Sequence, residues 1–368
     1  MHPGHLKRKC GDLVKRSNQL VRQSLKILLL AAACSLSSSA QPTLQRFHQT
    51  HAAMGTIFTL DLNVSDQATA EQDMNLAFEE IDRLEALLSN YRPTSELSRI
   101  GREAGSARVV TDPETFRFLE RSLYWSRVSN GAFDITVGPL LRAWGFFFHQ
   151  GRIPSQSELN AVRNKIGWQN IGLDPQARTV SFTNHQTMEL DPGSIGKGFA
   201  VDSVVKILQS QGVTSAFISA GGSTFYAIGA IPGTPGWPVE IPDPRSPGKI
   251  AATIQLKDSS LSTGACTEKF FIKNGHRYCH IFDPRTMRPV EGMLQTTVIN
   301  PSATDSDALS TVIFVLDPAE SRRLLASMPS TQALIFSQQP SRPSCIAINW
   351  TGEPCGPSSA AKGSHSHD

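Results

Sequence analysis

Two stretches of this chain carry residues able to do chemistry. The first, Glu189–Asp202 (ELDPGSIGKGFAVD), sets an acid, a glycine-interrupted turn and Lys197 at the mouth of an apolar helical pattern: Phe199, Val201, Val204, Val205, Ile207 and Leu208. Such a helix start presents free backbone N–H groups and the positive end of the helix dipole to a phosphate. The second, Asp307-Ala-Leu-Ser-Thr311, places a carboxylate and a hydroxyl four residues apart, on one face of a further helix. Hard oxygen ligands beside a phosphate cradle suit magnesium gripping a pyrophosphate. The pair points to phosphoryl chemistry on a nucleotide-like substrate. Gly193-Ser-Ile-Gly-Lys-Gly198 is not a nucleoside-triphosphate P-loop. That motif needs four residues between its glycines and a Ser or Thr after the lysine; here two intervene and Gly198 follows.

The elements that must position these residues are legible in the hydrophobic pattern. Phe47–Asn63 alternates as a strand with Met54-Gly55-Thr56 inside it, and residues 66–89 repeat Met74, Phe78, Ile81, Leu84 and Leu88 at helical spacing until Asn90 and Pro93. A second helix runs from Pro113 and stops at Asn130-Gly131, followed by a short strand and turn over 132–138. Residues 150–190 give a short helix (about 156–166) and hairpin-like strands. The cradle helix stops at Gly212, and Ala216–Ala220 is a buried strand ending in Gly221-Gly222-Ser223. Strands with Pro- and Gly-rich turns fill 237–264, and His280–Pro284 forms a strand and turn. Strand 296–299, helices 305–316 and 319–326, and a final core strand 331–336 complete the pattern. The expectation is one α+β domain over 45–340, in one or two lobes, with mixed or antiparallel sheets and packed helices. A Pro/Gly/Ser/His-rich tail is expected over 341–368.

The N-terminus reads separately, as a leader over residues 1–40. Lys7, Arg8, Lys9, Lys15, Arg16, Arg22 and Lys26 precede the short apolar run Ile27–Ala33 and Cys34, then a Ser-rich stretch ending at Ala40. A charged start, a short apolar core and small residues describe an export signal, too short to span a bilayer. Ala-Ala-Ala-Cys34 also resembles a bacterial lipobox, with alanine where leucine is usual three residues before the cysteine, and implies Cys34 lipidated on an inner membrane facing the periplasm; cleavage near Ala40 is the alternative. The net charge of +3 over 368 residues resides in this leader. The remainder is mildly acidic and lacks a basic, aromatic-laced stripe, which argues against nucleic acid as partner. Beyond the leader stand Cys266, Cys279, Cys345 and Cys355; Cys345 and Cys355, ten apart, are the expected pair in an oxidising compartment. No CxxC or HExxH pattern supports zinc or thiol-redox chemistry.

Seven segments occur in the order found in the ApbE family, the FAD:protein FMN transferases, which this chain resembles from about residue 47 to 337. They are Met54-Gly-Thr56, Ser95-Glu-Leu-Ser98, Gly131–Gly138 with Trp144-Gly-Phe146, Asp191–Gly198, Gly221-Gly222, His280–Pro284 and Asp307–Thr311. The resemblance implies a magnesium-dependent transfer of the FMN half of FAD to a Thr or Ser hydroxyl of an acceptor flavoprotein, with release of AMP. It implies metal ligation by Ser194, Asp307 and Thr311, and FAD contacts from Met54, Tyr91, Ala132, Phe133, Asp134, Asp191, Lys197 and Ile281. His280 is the implied base, since an imidazole can take the hydroxyl proton near neutral pH. Acceptors implied by the family are redox-complex subunits or exported reductases.

The chain departs from the family pattern at three places. Met287 holds a glycine position, Gly101 replaces an asparagine, and Ser223 stands where Asn or Asp is usual. None removes a charge or a ligand oxygen. Two other classes use nearly the same residues: hydrolysis of FAD to FMN and AMP, and flavin binding without turnover.

Overall fold

In the computed structural model of the chain, residues 43–355 are described except 149, 268, 339–342 and 353. The expected leader, Cys34 and the last tail residues lie outside them.

The alternation of residues 45–64 folds as a hairpin rather than one strand. Its arms, β1 (Gln45–Ala53) and β2 (Thr56–Val64), pair antiparallel with Ala53 opposite Thr56. The link is the two-residue turn Met54-Gly55, with φ of 51° and 69°. Two left-handed residues in succession are what a tight primed hairpin turn requires. Alternation alone carries no sign of such a reversal; the Met-Gly pair was the only cue.

The hairpin opens an eight-stranded sheet continued by β3 (Ala216–Ala220), β4 (Thr224–Ile228), β5 (Ser259–Ala265), β6 (Met293–Asn300), β7 (Gln332–Gln338) and β8 (Pro343–Ile348). The strands lie across the sheet in chain order, each antiparallel to its neighbour. β8 lies past the expected domain end at 340. It is an edge strand whose first residue is Pro343, a position that needs no ladder N–H, so its composition reads as tail.

Between β2 and β3 the chain leaves the sheet to build α1 (Gln67–Leu88), α2 (Pro113–Val128) and α3 (Gly196–Ser210). A fourth long helix, α4 (Ala303–Val315), links β6 and β7. Asp66 caps α1 by accepting from the Thr69 amide, and α2 begins with Pro113 after its cap Asp112. At the other end of α2, Asn130 and Gly131 turn left-handed, and the Gly131 amide reaches back to the Ser126 carbonyl at 2.8 Å.

The sheet is covered on both faces. On one, Leu60, Leu62, Ile218 and Ile335 meet Ile81 and Leu84 of α1, Val204 and Leu208 of α3, and Leu309 and Val312 of α4. All ten are fully buried, each contributing about 1.5–3 kcal/mol. On the other, the hairpin Trp237–Pro242/Ile250–Leu256 lays Trp237, Ile241 and Leu256 over Leu261, Leu334 and Phe336. The chain from Leu44 onward clusters as one compact unit, an α+β fold of antiparallel sheets and packed helices.

Residues 132–138 are not a strand. Asp134 holds them as a loop, one carboxylate oxygen accepting from the Thr136 amide and hydroxyl and the other from the Trp168 amide. Gly138 then begins the short helix Gly138–Ala143 and lets Glu189 come close; a Cβ there would lie 2.5 Å from the Glu189 Cγ. Cys345 and Cys355 are bridged, Cα atoms 5.8 Å apart. Cys266 and Cys279 form a second bridge, Cα atoms 5.5 Å apart, which sequence spacing did not indicate.

Candidate functional site

A cleft of about 1440 Å³ opens on the α3 start, and the residues implied as metal ligands, flavin contacts and base all line it. Met54 comes from the β1–β2 turn, Tyr91 from beyond α1, and Ala132, Phe133 and Asp134 from the loop after α2. Asp191, Ser194 and Lys197 come from the turn into α3, Asp307 and Thr311 from α4, and His280 and Ile281 from the segment before β6. The cleft thus gathers pieces spread over more than two hundred positions of sequence.

The α3 start is built as the pattern required. The Asp191 carboxylate accepts from the Gly193 amide at 2.7 Å, rounding the turn, and no side chain caps the helix itself. Lys197 extends to Ser223, its ammonium donating to the hydroxyl at 2.6 Å. Ser223 follows Gly221 and Gly222, both with φ near +65°, which turn the end of β3 back toward the cleft. Ser223 gives Lys197 a neutral partner, so the charge of Lys197 stays available to an anion.

Asp307 is the buried acid of the site, 6% exposed. It accepts from the Gly198 amide at 2.9 Å and from the Thr224 hydroxyl at 3.2 Å. Burial pushes its pKa up, opposed by Lys197 and by those two hydrogen bonds. A buried carboxylate with lone pairs to spare lines the same cleft as Ser194 and Thr311, and oxygens of these kinds are donors for a hard divalent cation. Among the described residues no three His, Cys, Asp or Glu side chains converge. The oxygens here fit a cation that keeps most positions for substrate and water. The site therefore suits magnesium by donor chemistry.

His280 is held through one atom. Its backbone amide and its Nδ1 both meet the Lys269 carbonyl, at 3.2 and 3.0 Å. A carbonyl only accepts, so Nδ1 carries the proton and Nε2 the lone pair. Burial lowers the imidazole pKa to about 4, assisted by the charges of Lys269 and Lys197 against the Lys269 hydrogen bond. At neutral pH the ring is uncharged. Burial likewise raises the Asp134 and Asp191 carboxyls against the amides that bond them. Tyr91 itself is 67% exposed and stacks on Phe147, centroids 4.8 Å apart, at the cleft rim. Phe133 is 2% exposed and belongs mainly to the core.

Several contributors escaped sequence reasoning. Asp202, one turn into α3, accepts from the Ala303 and Thr304 amides and the Ser302 and Thr304 hydroxyls, and so caps α4 from outside it. Thr224 donates to Asp307, and Arg142 pairs with Glu189 at 2.6 Å. The Lys269 carbonyl could not be foreseen, because any residue supplies one. Asp202 did stand in the first motif, and its charge one turn into an apolar helix was the available signal.

A profile of the ApbE family matches residues 54–335. The chain belongs to the ApbE family. Among its relatives, the FAD:protein FMN transferase of Treponema pallidum is 30% identical over 328 residues, covering 84% of this chain and 90% of that protein. The FAD:protein FMN transferase of Escherichia coli K12 is 27% identical over 309 residues, covering 81% and 88%. The fold is similar to that of the ApbE protein of Thermotoga maritima, with a TM-score of 0.74 and 27% identity over 83% of this chain and 97% of that one. The flavinyl transferase ApbE of Pseudomonas stutzeri, in its apo form, gives 0.73 and 26%, covering 83% and 95%.

Proposed function

We propose that this protein is an FAD:protein FMN transferase, moving the FMN half of FAD to a Thr or Ser hydroxyl of an acceptor protein and releasing AMP. The observation that carries the reading is the meeting, in one cleft of an ApbE-family chain, of the α3 start, buried Asp307 and neutral His280. In this scheme the acceptor oxygen forms a bond to the FMN phosphorus while the bond to the AMP oxygen breaks. His280 Nε2 takes the hydroxyl proton. Lys197 and the open start of α3 hold the pyrophosphate in line for attack. Asp191 shapes the turn that aims those amides, and Asp134 fixes the loop carrying Ala132 and Phe133. Met54 and Ile281 supply apolar contact to the nucleotide, and Tyr91 a stacking face.

Ser194, Asp307 and Thr311 would hold magnesium. Bound there, it would neutralise charge developing on the pyrophosphate and make AMP a better leaving group.

Intact-mass measurement after incubation with FAD and magnesium, with and without an exported flavoprotein acceptor, tests the reading. The expected product is acceptor carrying one FMN, with one AMP released. Free FMN and AMP without flavinylated acceptor would make the protein an FAD pyrophosphatase. FAD left intact with every divalent metal would reduce it to a flavin-binding protein.

The same reading extends to location. The leader over 1–40 directs export, and Cys34 anchors the mature protein by lipid to the inner membrane, facing the periplasm, where acceptor flavoproteins are met. Among the described residues no helix is long and apolar enough to cross a membrane. Detergent-phase partitioning decides: wild type enters the detergent phase, and Cys34→Ser in the same fraction with the same processing would end the lipid-anchor reading.

A further inference from the structure

The segment that presents His280 is weakly held by its backbone. Strands Phe270–Lys273 and His276–Cys279 form an isolated two-stranded ribbon, separate from the eight-stranded sheet. A two-stranded ribbon needs packing to persist in water, and here only side chains supply it, Phe271 on Phe146 and Tyr278 on Trp144. At the open end of this one, Phe270 faces Cys279, and the next rung outward is Lys269 and His280. That rung is the pair of bonds from the His280 amide and Nδ1 to the Lys269 carbonyl. A covalent link closes the segment beside it: Cys266, three residues before Lys269, is bridged to Cys279, the residue before His280. Both cysteines are buried, 6% and 1% exposed, against Ile281 and Phe314 of α4. The Cys266 amide is tied to the Leu294 carbonyl of β6, so the bridge anchors the ribbon to the main sheet.

We infer that the Cys266–Cys279 disulfide is a positioning element for the base. It holds the Lys269 carbonyl on Nδ1 of His280, and with it the tautomer that leaves Nε2 free to accept a proton. The inference rests on the transferase reading for its rate consequence and on geometry alone for its tautomer consequence. Neither cysteine takes part in bond making. The bridge acts by limiting how far the ribbon can open, as a crosslink limits the conformations of the loop it closes.

Two readouts test it on the full chain. Imidazole 15N NMR reports the His280 tautomer without substrate: wild type should show protonated Nδ1, and Cys266→Ser/Cys279→Ser a tautomer mixture. In FMN transfer the double variant should lose about 10- to 100-fold in kcat, with KM for FAD little changed. On a His280→Ala background, removing the bridge should cause no further loss, because the group it positions is already gone. Cys266→Ala/Cys279→Val, which keeps apolar contact with Ile281 and Phe314, replaces the serine pair if that pair does not fold. An unchanged tautomer, or equal rate losses with and without His280, would overturn the inference. Absence of transfer in wild type with the NMR difference intact would instead count against the transferase reading alone.

Discussion

The Gly198 amide donates to Asp307 Oδ2 at 2.9 Å, joining across 109 positions the two motifs that first marked this chain as a candidate for phosphate chemistry. The contact exists because position 198 has no side chain. A Cβ there would collide with the Ala303 carbonyl and lie 2.8 Å from the Asp307 Cβ. Gly198→Ala should therefore push α3 and α4 apart, costing about 1–3 kcal/mol of stability and weakening divalent-cation activation. Thermal melts with and without magnesium measure both effects. An unshifted melt would mean that the helices have slack the packing does not show.

Asp307→Asn keeps the shape and, through Oδ1, the Thr224 contact, but removes the charge and the acceptor for the Gly198 amide. It should abolish magnesium-dependent turnover and also the rise in melting temperature that magnesium gives wild type, since a ligand bound only to the folded state stabilises it. Thr311→Ala should be milder, because water can replace a neutral oxygen. Equal magnesium titrations for wild type and Asp307→Asn would remove Asp307 from the metal site.

His280 titrates low. With the imidazole pKa at about 4 against an ordinary 6.5, the acid limb of kcat/KM should fall near pH 4. The folded value lies below the unfolded one, so this group's contribution to stability is intact above pH 6.5 and is lost as pH falls through about 4. A limb near 6.5 that vanished in His280→Ala would show the ring to be far better solvated than its burial implies.

Met287 is held at φ 61°, a conformation that favours glycine, yet its side chain is 3% exposed among Leu140, Trp144 and Phe282. Left-handed strain costs a side chain about 1–2 kcal/mol, whereas deleting a buried methionine costs about 2–5 kcal/mol. Packing wins. Met287→Gly should lower stability despite relieving the left-handed strain, and a denaturation midpoint at or above that of wild type would refute this.

What the sequence made legible follows from where the information sits. Helix α1 was plain because five apolar residues repeat at helical spacing, and the α3 start because a glycine-rich turn meets an apolar run. All the site residues but Tyr91 belong to the collinear motifs, and the cleft gathers them all. The Met54-Gly55 reversal was hidden because both strands of the hairpin alternate in the same way. The loop over 132–138 looked extended because Phe133 and Ile135 are buried, although its shape comes from the distant Trp168 amide on Asp134. The Lys269 carbonyl and the Cys266–Cys279 bridge are tertiary facts that no local pattern encodes.

The chain-order sheet has a consequence for how the cleft is assembled. From β3 to β8 every pairing joins strands that are consecutive in the sheet order, so that half can grow by short closures. Only the β2–β3 seam, with Leu60 opposite Ile218, must wait for the whole excursion over residues 65–215 to return. The Met54 turn lies beside Gly221 at one end of that seam, and Thr224, just past it, meets Asp307, so the two walls of the cleft meet only when this closure is made. Nucleotide binding therefore marks the finished molecule: a chain caught with its second half formed and its first half still searching has a sheet but nowhere to put a ligand.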